Sequence, residues 1–248
     1  MTSRPCLAFA CAHLCDERLY AAQVAALGTA YDCRVFVFRE QDSVAAMAES
    51  LLAQTPPRFT LVGLSLGGYV AFEVIRRQLH RIERLALLDT TAAADAPARR
   101  AARFADIAKV QQGGIDALIP ELPARWLRPA HLARPDLVAT MAAMARSVGA
   151  QGQFNQQQAM LGRPDSLADL EDVRVPTLVL CGADDKVTPI ADHEAMAARA
   201  AGARLEVVAD CGHLSTIEQP GAVTRLLADW LASTTCAAAH ALTRRAAP

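Results

Sequence analysis

Lysine is almost missing from this chain: Lys109 and Lys186 are its only lysines, and arginine supplies the rest of its 25 basic residues. That is a bias of composition and carries no functional signal. An excess of charge is missing too. The net charge is -1, so there is no electrostatic footprint for nucleic acid or an anionic membrane. No uncharged apolar run reaches the roughly 18 residues that a membrane-spanning helix needs. A secretory leader is not evident: Arg4 precedes a short run, Pro5-Cys6-Leu7-Ala8-Phe9-Ala10, that reads as a strand, and Asp16-Glu17-Arg18 soon follows. The seven cysteines are odd in number and scattered through apolar segments. They read as reduced thiols packed as small hydrophobes, which points to a cytoplasmic protein. Cys11-x-His13-x-Cys15 has no second ligand pair at zinc spacing, so no metal is expected. No internal repeat stands out.

What is present is enough for one full core: 248 residues, 52% of them apolar. Apolar runs predict strands at 7–10, 34–38, 59–64, 82–88, 177–181 and 205–209. Helical patterns at 19–26, 43–54, 67–79, 190–200 and 221–232 separate them. Continuous apolar strands alternating with helices predict an α/β fold, a mostly parallel, doubly wound sheet covered on both faces as a three-layer sandwich. The rhythm breaks between 92 and 163, where only helical patterns occur. A plain βα loop runs about 2–6 residues, so this stretch reads as a helical cap inserted between core segments 1–91 and 164–233. Residues 234–248 are Ala-rich without an apolar face and read as a frayed tail.

The chemistry centres on Gly63-Leu64-Ser65-Leu66-Gly67-Gly68, which joins the apolar run Phe59-Thr60-Leu61-Val62 to a helical pattern. That is strand, sharp turn, helix, with a serine at the apex. A serine hydroxyl is a poor nucleophile without a base and a rigid presentation. The G-x-S-x-G turn supplies the presentation, its small residues letting the backbone turn tightly. His213 follows a glycine directly after the last predicted strand and is the candidate base. His80, His131, His193 and His240 sit in helical, cap or tail positions, where packed or solvated side chains are expected.

Three motifs together resemble the α/β-hydrolase superfamily: the elbow at Ser65, Gly182-x-x-Asp185-x-x-x-Pro189, and Gly212-His213 with Glu218 and Pro220 after it. The stretch 14–20 resembles the loop after the first parallel strand in small esterase-like and enol-lactonase-like members, and 154–166 is similar to the end of their cap. The resemblance implies a Ser–Asp–His set in that order, each at the carboxyl end of a strand. It places the acid at Asp185; neighbouring Asp184 is expected to bond the turn or face solvent. It implies two backbone donors for a developing oxyanion, the N–H groups of Leu66 and His13. Relatives usually carry a glycine before the second donor, where this chain has Ala12, which puts the geometry of that loop in question. The His13 ring is either a wall of the pocket turned away or an added polar contact to substrate. Glu218 is expected to anchor the helix that Pro220 starts, and Cys211 to pack. Trp126, Met141, Met144, Phe154 and Met160 are candidates for the cap side of the pocket. Arg125, Arg128 and Arg146 could meet a substrate carboxylate or form a solvated face.

The implied activity is hydrolysis of a small carboxylic ester or lactone through an acyl-enzyme, with no cofactor. The same set leaves open a carbon–carbon bond hydrolase, a perhydrolase or a triad-based lyase. A non-catalytic binding protein with a degenerate pocket is the reading from another class. Oligomeric state is not legible.

Overall fold

In the computed structural model, residues 4–245 are described, with side chains described through Ser233. The tail expected over 234–248, with Cys236 and His240, lies outside the described side chains. Six strands form one wholly parallel sheet in the order β2-β1-β3-β4-β5-β6. They are β1 (Cys6–Ala10), β2 (Asp32–Phe36), β3 (Phe59–Leu64), β4 (Ile82–Leu88), β5 (Thr177–Gly182) and β6 (Arg204–Val208). The two outer strands, β2 and β6, begin earlier than their apolar runs because Asp32 and Cys33, and the exposed Arg204, also pair there.

Alternate residues of the strands enter two separate apolar layers. Leu7, Phe9, Val62 and Leu64 face one layer, completed by Leu27 of α1 (Ala21–Leu27) and Val223, Leu227 and Trp230 of α9 (Pro220–Arg245). Ala8, Ala10, Leu61 and Leu85 face the other. There they meet Met47 and Leu51 of α2 (Val44–Gln54), Val70 and Val74 of α3 (Leu66–Gln78), and Met196 of α7 (Ile190–Arg199). Period-two burial on both faces is why the strands read as continuous apolar runs. Ser43 caps α2, its side chain accepting the Ala46 N–H.

Between β4 and β5 the chain is helical among the described residues. It forms α4 (Pro97–Gly113), α5 (Leu122–Trp126) and α6 (Pro135–Gly162), with short 3₁₀ turns between them. Prolines open α4 and α6, where a missing N–H costs nothing. The last of these, α6, is one 28-residue element broken at Gly149, whose φ of 73° interrupts the helix. A four-residue helix, α8 (Ser215–Glu218), follows β6.

The sheet order places the switch of direction between β1 and β3. In open α/β sheets the crevice for a ligand lies at such a switch, beyond the carboxyl ends of the strands. The loop after β1 carries His13, and the turn after β3 carries Ser65.

Candidate active site

Ser65 occupies a strained backbone position, φ 53° and ψ −111°. Three neighbours hold it there. Its N–H donates to Leu88 O at 3.0 Å, its carbonyl accepts the Thr90 hydroxyl at 2.9 Å, and it receives the Gly68 N–H at 2.9 Å. The glycines around it are required by close approach. A Cβ on Gly67 would lie 2.0 Å from Ala10 O, and one on Gly63 2.4 Å from Gly67 O.

Ser65, His213 and Asp185 form one hydrogen-bonded chain. The Ser65 hydroxyl donates to His213 Nε2 at 3.0 Å, and His213 Nδ1 donates to Asp185 Oδ2 at 2.8 Å. Asp185 Oδ2 also accepts the Thr188 hydroxyl, while Oδ1 accepts the N–H groups of Val187 and Thr188. Burial alone would raise the Asp185 pKa, but the charge and hydrogen bond of His213 and the Thr188 bonds hold it at about 2. Burial pushes His213 the other way, and Asp185 wins, so the imidazole is more basic than an ordinary histidine. Asp184 is where it was expected: half exposed, its N–H on Cys211 O and its carboxylate on Arg128.

The loops that carry these residues are braced by two acids that sequence reasoning did not assign to that role. Asp89 is fully buried just beyond β4, with Oδ1 accepting the Gly182 N–H and Oδ2 the Ser215 N–H, each at 3.1 Å. It ties the Asp185 loop to the His213 loop, and burial first, then the Asp185 charge, raise its pKa. Glu218 does more than anchor a helix: Oε1 accepts the Gly212 N–H at 3.0 Å, and Oε2 accepts Arg128 N–H and pairs with His131 Nδ1. His213 N–H itself donates to Trp126 O at 2.7 Å. The His213 loop is thus fastened to the end of α5 and the residues after it. His193 is packed, with Nδ1 donating to Pro189 O and Nε2 accepting the Thr90 N–H.

Among the described residues, neither the Leu66 nor the His13 N–H donates to a protein acceptor. Leu66 is the first residue of α3, where helix N–H groups have no partner of their own. Ala12 does not strain its loop: it is absent from the residues with positive φ, and Leu14, with φ 54°, takes the left-handed turn instead.

The His13 ring is held from α6. Gln156 Nε2 donates to Phe38 O at 2.6 Å, so its Oε1 is free to accept Leu14 N–H at 2.9 Å and His13 Nδ1 at 2.8 Å. His13 therefore carries its proton on Nδ1 and presents a lone pair on Nε2, 3.5 Å from Gln157 Nε2. Burial, then the positive charge of Arg103, lower its pKa to about 3, so the ring stays neutral.

Ser65, His213, His13, Tyr69, Trp126 and Arg103 share one cavity with about 380 Å³ of empty space, its mouth included. Of the cap candidates, Trp126 and Met160 line it; Met141 and Met144 are core, and Phe154 lines a separate cavity. Arg125, Arg128 and Arg146 are spent on Asp106 and Glu121, on Asp184 and Asp210, and on Asp116. The arginine that reaches the cavity is Arg103, which the sequence reading passed over. Its signal was there: Arg103 shares a helical stripe with Ile107 and Val110, both buried. No three His, Cys, Asp or Glu side chains converge as a metal site among the described residues. No helix among them is long and apolar enough to cross a membrane.

Known proteins carry the same fold. A thermophilic esterase from Thermogutta terrifontis superposes with a TM-score of 0.83, at 29% identity, over 94% of this chain and 91% of its own. The pimeloyl-[acyl-carrier protein] methyl ester esterase of Aromatoleum aromaticum is 31% identical over 196 residues, 74% of this chain and 78% of its own. The 3-oxoadipate enol-lactonase 2 of Acinetobacter baylyi is 26% identical over 67% of this chain and 61% of its own. One family model, that of the alpha/beta hydrolase family, matches residues 8–226, and the chain belongs to that family.

Proposed function

We propose that this chain hydrolyses a small carboxylic ester or lactone through an acyl-enzyme, with Ser65 as nucleophile. The observation that carries the reading is the unbroken Ser65–His213–Asp185 hydrogen-bond chain opening into a cavity. Ser65 Oγ attacks the acyl carbon as His213 Nε2 takes its proton. The carbonyl oxygen becomes an oxyanion, received by the free N–H groups of Leu66 and His13. Collapse breaks the acyl–oxygen bond, and the imidazolium returns the proton to the leaving alcohol; with a lactone that alcohol stays on the same molecule. Water then attacks the acyl-enzyme with His213 again as base, releasing the acid and restoring Ser65. Asp185 holds the Nδ1–H tautomer and stabilises the imidazolium. These steps balance without a metal or cofactor.

In this reading, residues 1–91 and 164–233 are the catalytic core and 92–163 a cap that selects substrate. Five of the described cysteines are buried and all six are unpaired, which supports reduced thiols and a cytoplasmic place. The test is hydrolysis of short and medium p-nitrophenyl esters by the native chain and by Ser65→Ala. Loss of turnover by roughly 10⁴-fold or more in the variant is expected. A folded native protein with no Ser65-dependent turnover on any ester or lactone offered would end the proposal.

A further inference from the structure

The cap side of the cavity holds more positive charge than it can neutralise. Asp95 is a single buried carboxylate shared by two arginines. Arg163 Nη2 lies 2.8 Å from its Oδ1, and Arg103 reaches it through both Nε and Nη2. All three side chains are largely out of water, Asp95 at 1% exposed, Arg163 at 2% and Arg103 at 12%. Arg163 lies over the Tyr69 ring at 4.0 Å, and its Nε and Nη1 have no hydrogen-bond partner. Two cations share one anion, so one charge is left over. A buried charge without its counterpart is costly unless something supplies it.

Of the two arginines, Arg103 is the one that lines the cavity of Ser65 and His213. Asp95 occupies one edge of its guanidinium, and the Tyr69 hydroxyl also bonds the group. On Nη1 the partners are Gln157 Oε1 at a long 3.3 Å and the thioether of Met160 at 2.9 Å. A thioether is a weak acceptor, so this edge can be taken over by a stronger one. No acidic residue is among those lining the cavity. Behind His213, the Asp185 carboxylate is committed to His213, Thr188 and Val187. The Arg103 field reaches across to His13, where it helps keep the ring neutral.

We propose that the cavity is built for an ester or lactone bearing a free carboxylate, and that Arg103 receives that carboxylate. This deepens the hydrolase reading, on which it rests. A single excess charge matches a monoanion, and a planar guanidinium edge matches a planar carboxylate. Bound there, the carboxylate completes a two-anion, two-cation cluster that the free protein leaves unbalanced. Gln157 stands between Arg103 and His13 Nε2, so the carboxylate end and the reacting end of the substrate are read by one polar wall.

The experiment compares monomethyl with dimethyl succinate, glutarate and adipate, each pair differing in charge at the end remote from the reacting ester. Both kcat/KM on the native chain and calorimetric binding to Ser65→Ala are measured. For at least one chain length the half-ester is expected to be favoured about 10–100-fold in both readouts. Arg103→Met is expected to bring that ratio to about 1, and Arg103→Lys to an intermediate value. Arg103→Met leaves Asp95 paired with Arg163, so the variant keeps a compensated ion pair and is expected to fold. Ser65-dependent hydrolysis of the diesters with no preference for any half-ester would overturn the carboxylate site and leave the hydrolase reading standing. Arg103-dependent binding of a half-ester without turnover would support the site and count against the hydrolase reading. Equal binding of both members of every pair would overturn the site whatever the rates.

Discussion

Two buried histidines face the same cavity and are tuned in opposite directions. His213, in the loop after β6, donates to a carboxylate and is made more basic than usual. His13, in the loop after β1, donates to a neutral amide under the field of an arginine and falls to about 3. Burial acts against the charged form of both rings. What separates them is the partner on Nδ1, and with it the task each can perform. His213 can take and return a proton near neutral pH. His13 can hold a shape and offer a lone pair, but cannot act as an acid or base there.

The strongest way to break this contrast is at the carboxylate. In Asp185→Asn the amide oxygen must stay on the Val187 and Thr188 N–H groups, which turns its NH₂ toward His213 Nδ1. That forces the proton onto Nε2, where it can no longer accept from Ser65. A fall in kcat of roughly 10³–10⁴-fold is expected. The pH profile supplies the sign. Activity needs neutral His213, so the native rate falls as pH drops through a pKa raised above the ordinary 6.5. Without that carboxylate, burial and the Arg99 charge act against the Asp89 charge alone, and the acid limb of kcat/KM is expected to move down in the variant. An unshifted limb would mean that another group sets it.

Next in size is the brace that serves His213 and has no counterpart at His13. Asp89→Ala leaves the buried Gly182 and Ser215 N–H groups without acceptors, at about 1–3 kcal/mol each. Thermal unfolding should show that loss, and kcat/KM should drop about tenfold as the acid and base loops slacken. Activity kept at the native level with lowered stability would make Asp89 a fold residue only. Gln156→Glu sharpens the comparison from the other side, giving His13 a carboxylate partner of its own. The His13 pKa, followed by NMR titration, is expected to rise from about 3 toward the ordinary histidine value. A ring still titrating near 3 would mean that burial and Arg103 outweigh any partner.

The same contrast explains what could be read in the sequence. His213 was legible because its glycine, its strand and its order after Ser65 and Asp185 are local marks, and strand ends converge by topology alone. The six strands were legible for a similar reason, since burial on both faces leaves continuous apolar runs. His13's environment was not legible. It is made by Gln156 and Gln157, more than a hundred residues away on the far half of a broken helix, and no local pattern announces that inward-facing amides will meet that loop. Asp89 was hidden by ordinariness, one acid after a strand whose two donors are backbone N–H groups. Arg103 did leave a mark, a cation on an apolar helical stripe, which means little until the stripe is known to border a cavity.

The smallest expected effect concerns the feature that set this sequence apart from its resemblance. A glycine usually precedes the second oxyanion donor, and Ala12 stands in that place. If the loop needed left-handed backbone there, alanine would distort it and glycine would repair it. The left-handed residue is Leu14, and Ala12 is buried without positive φ. Nothing in the loop then awaits the freedom glycine brings. Ala12→Gly is expected to change kcat/KM by less than about threefold and to cost roughly 0.5–1 kcal/mol in stability, because the unfolded chain gains conformations it must lose. Steady-state kinetics beside denaturant unfolding separates the two. A large gain in kcat at unchanged KM would show that the His13 N–H is misplaced in the native loop. It would also show that the two sides of this cavity differ in preparedness as well as in charge.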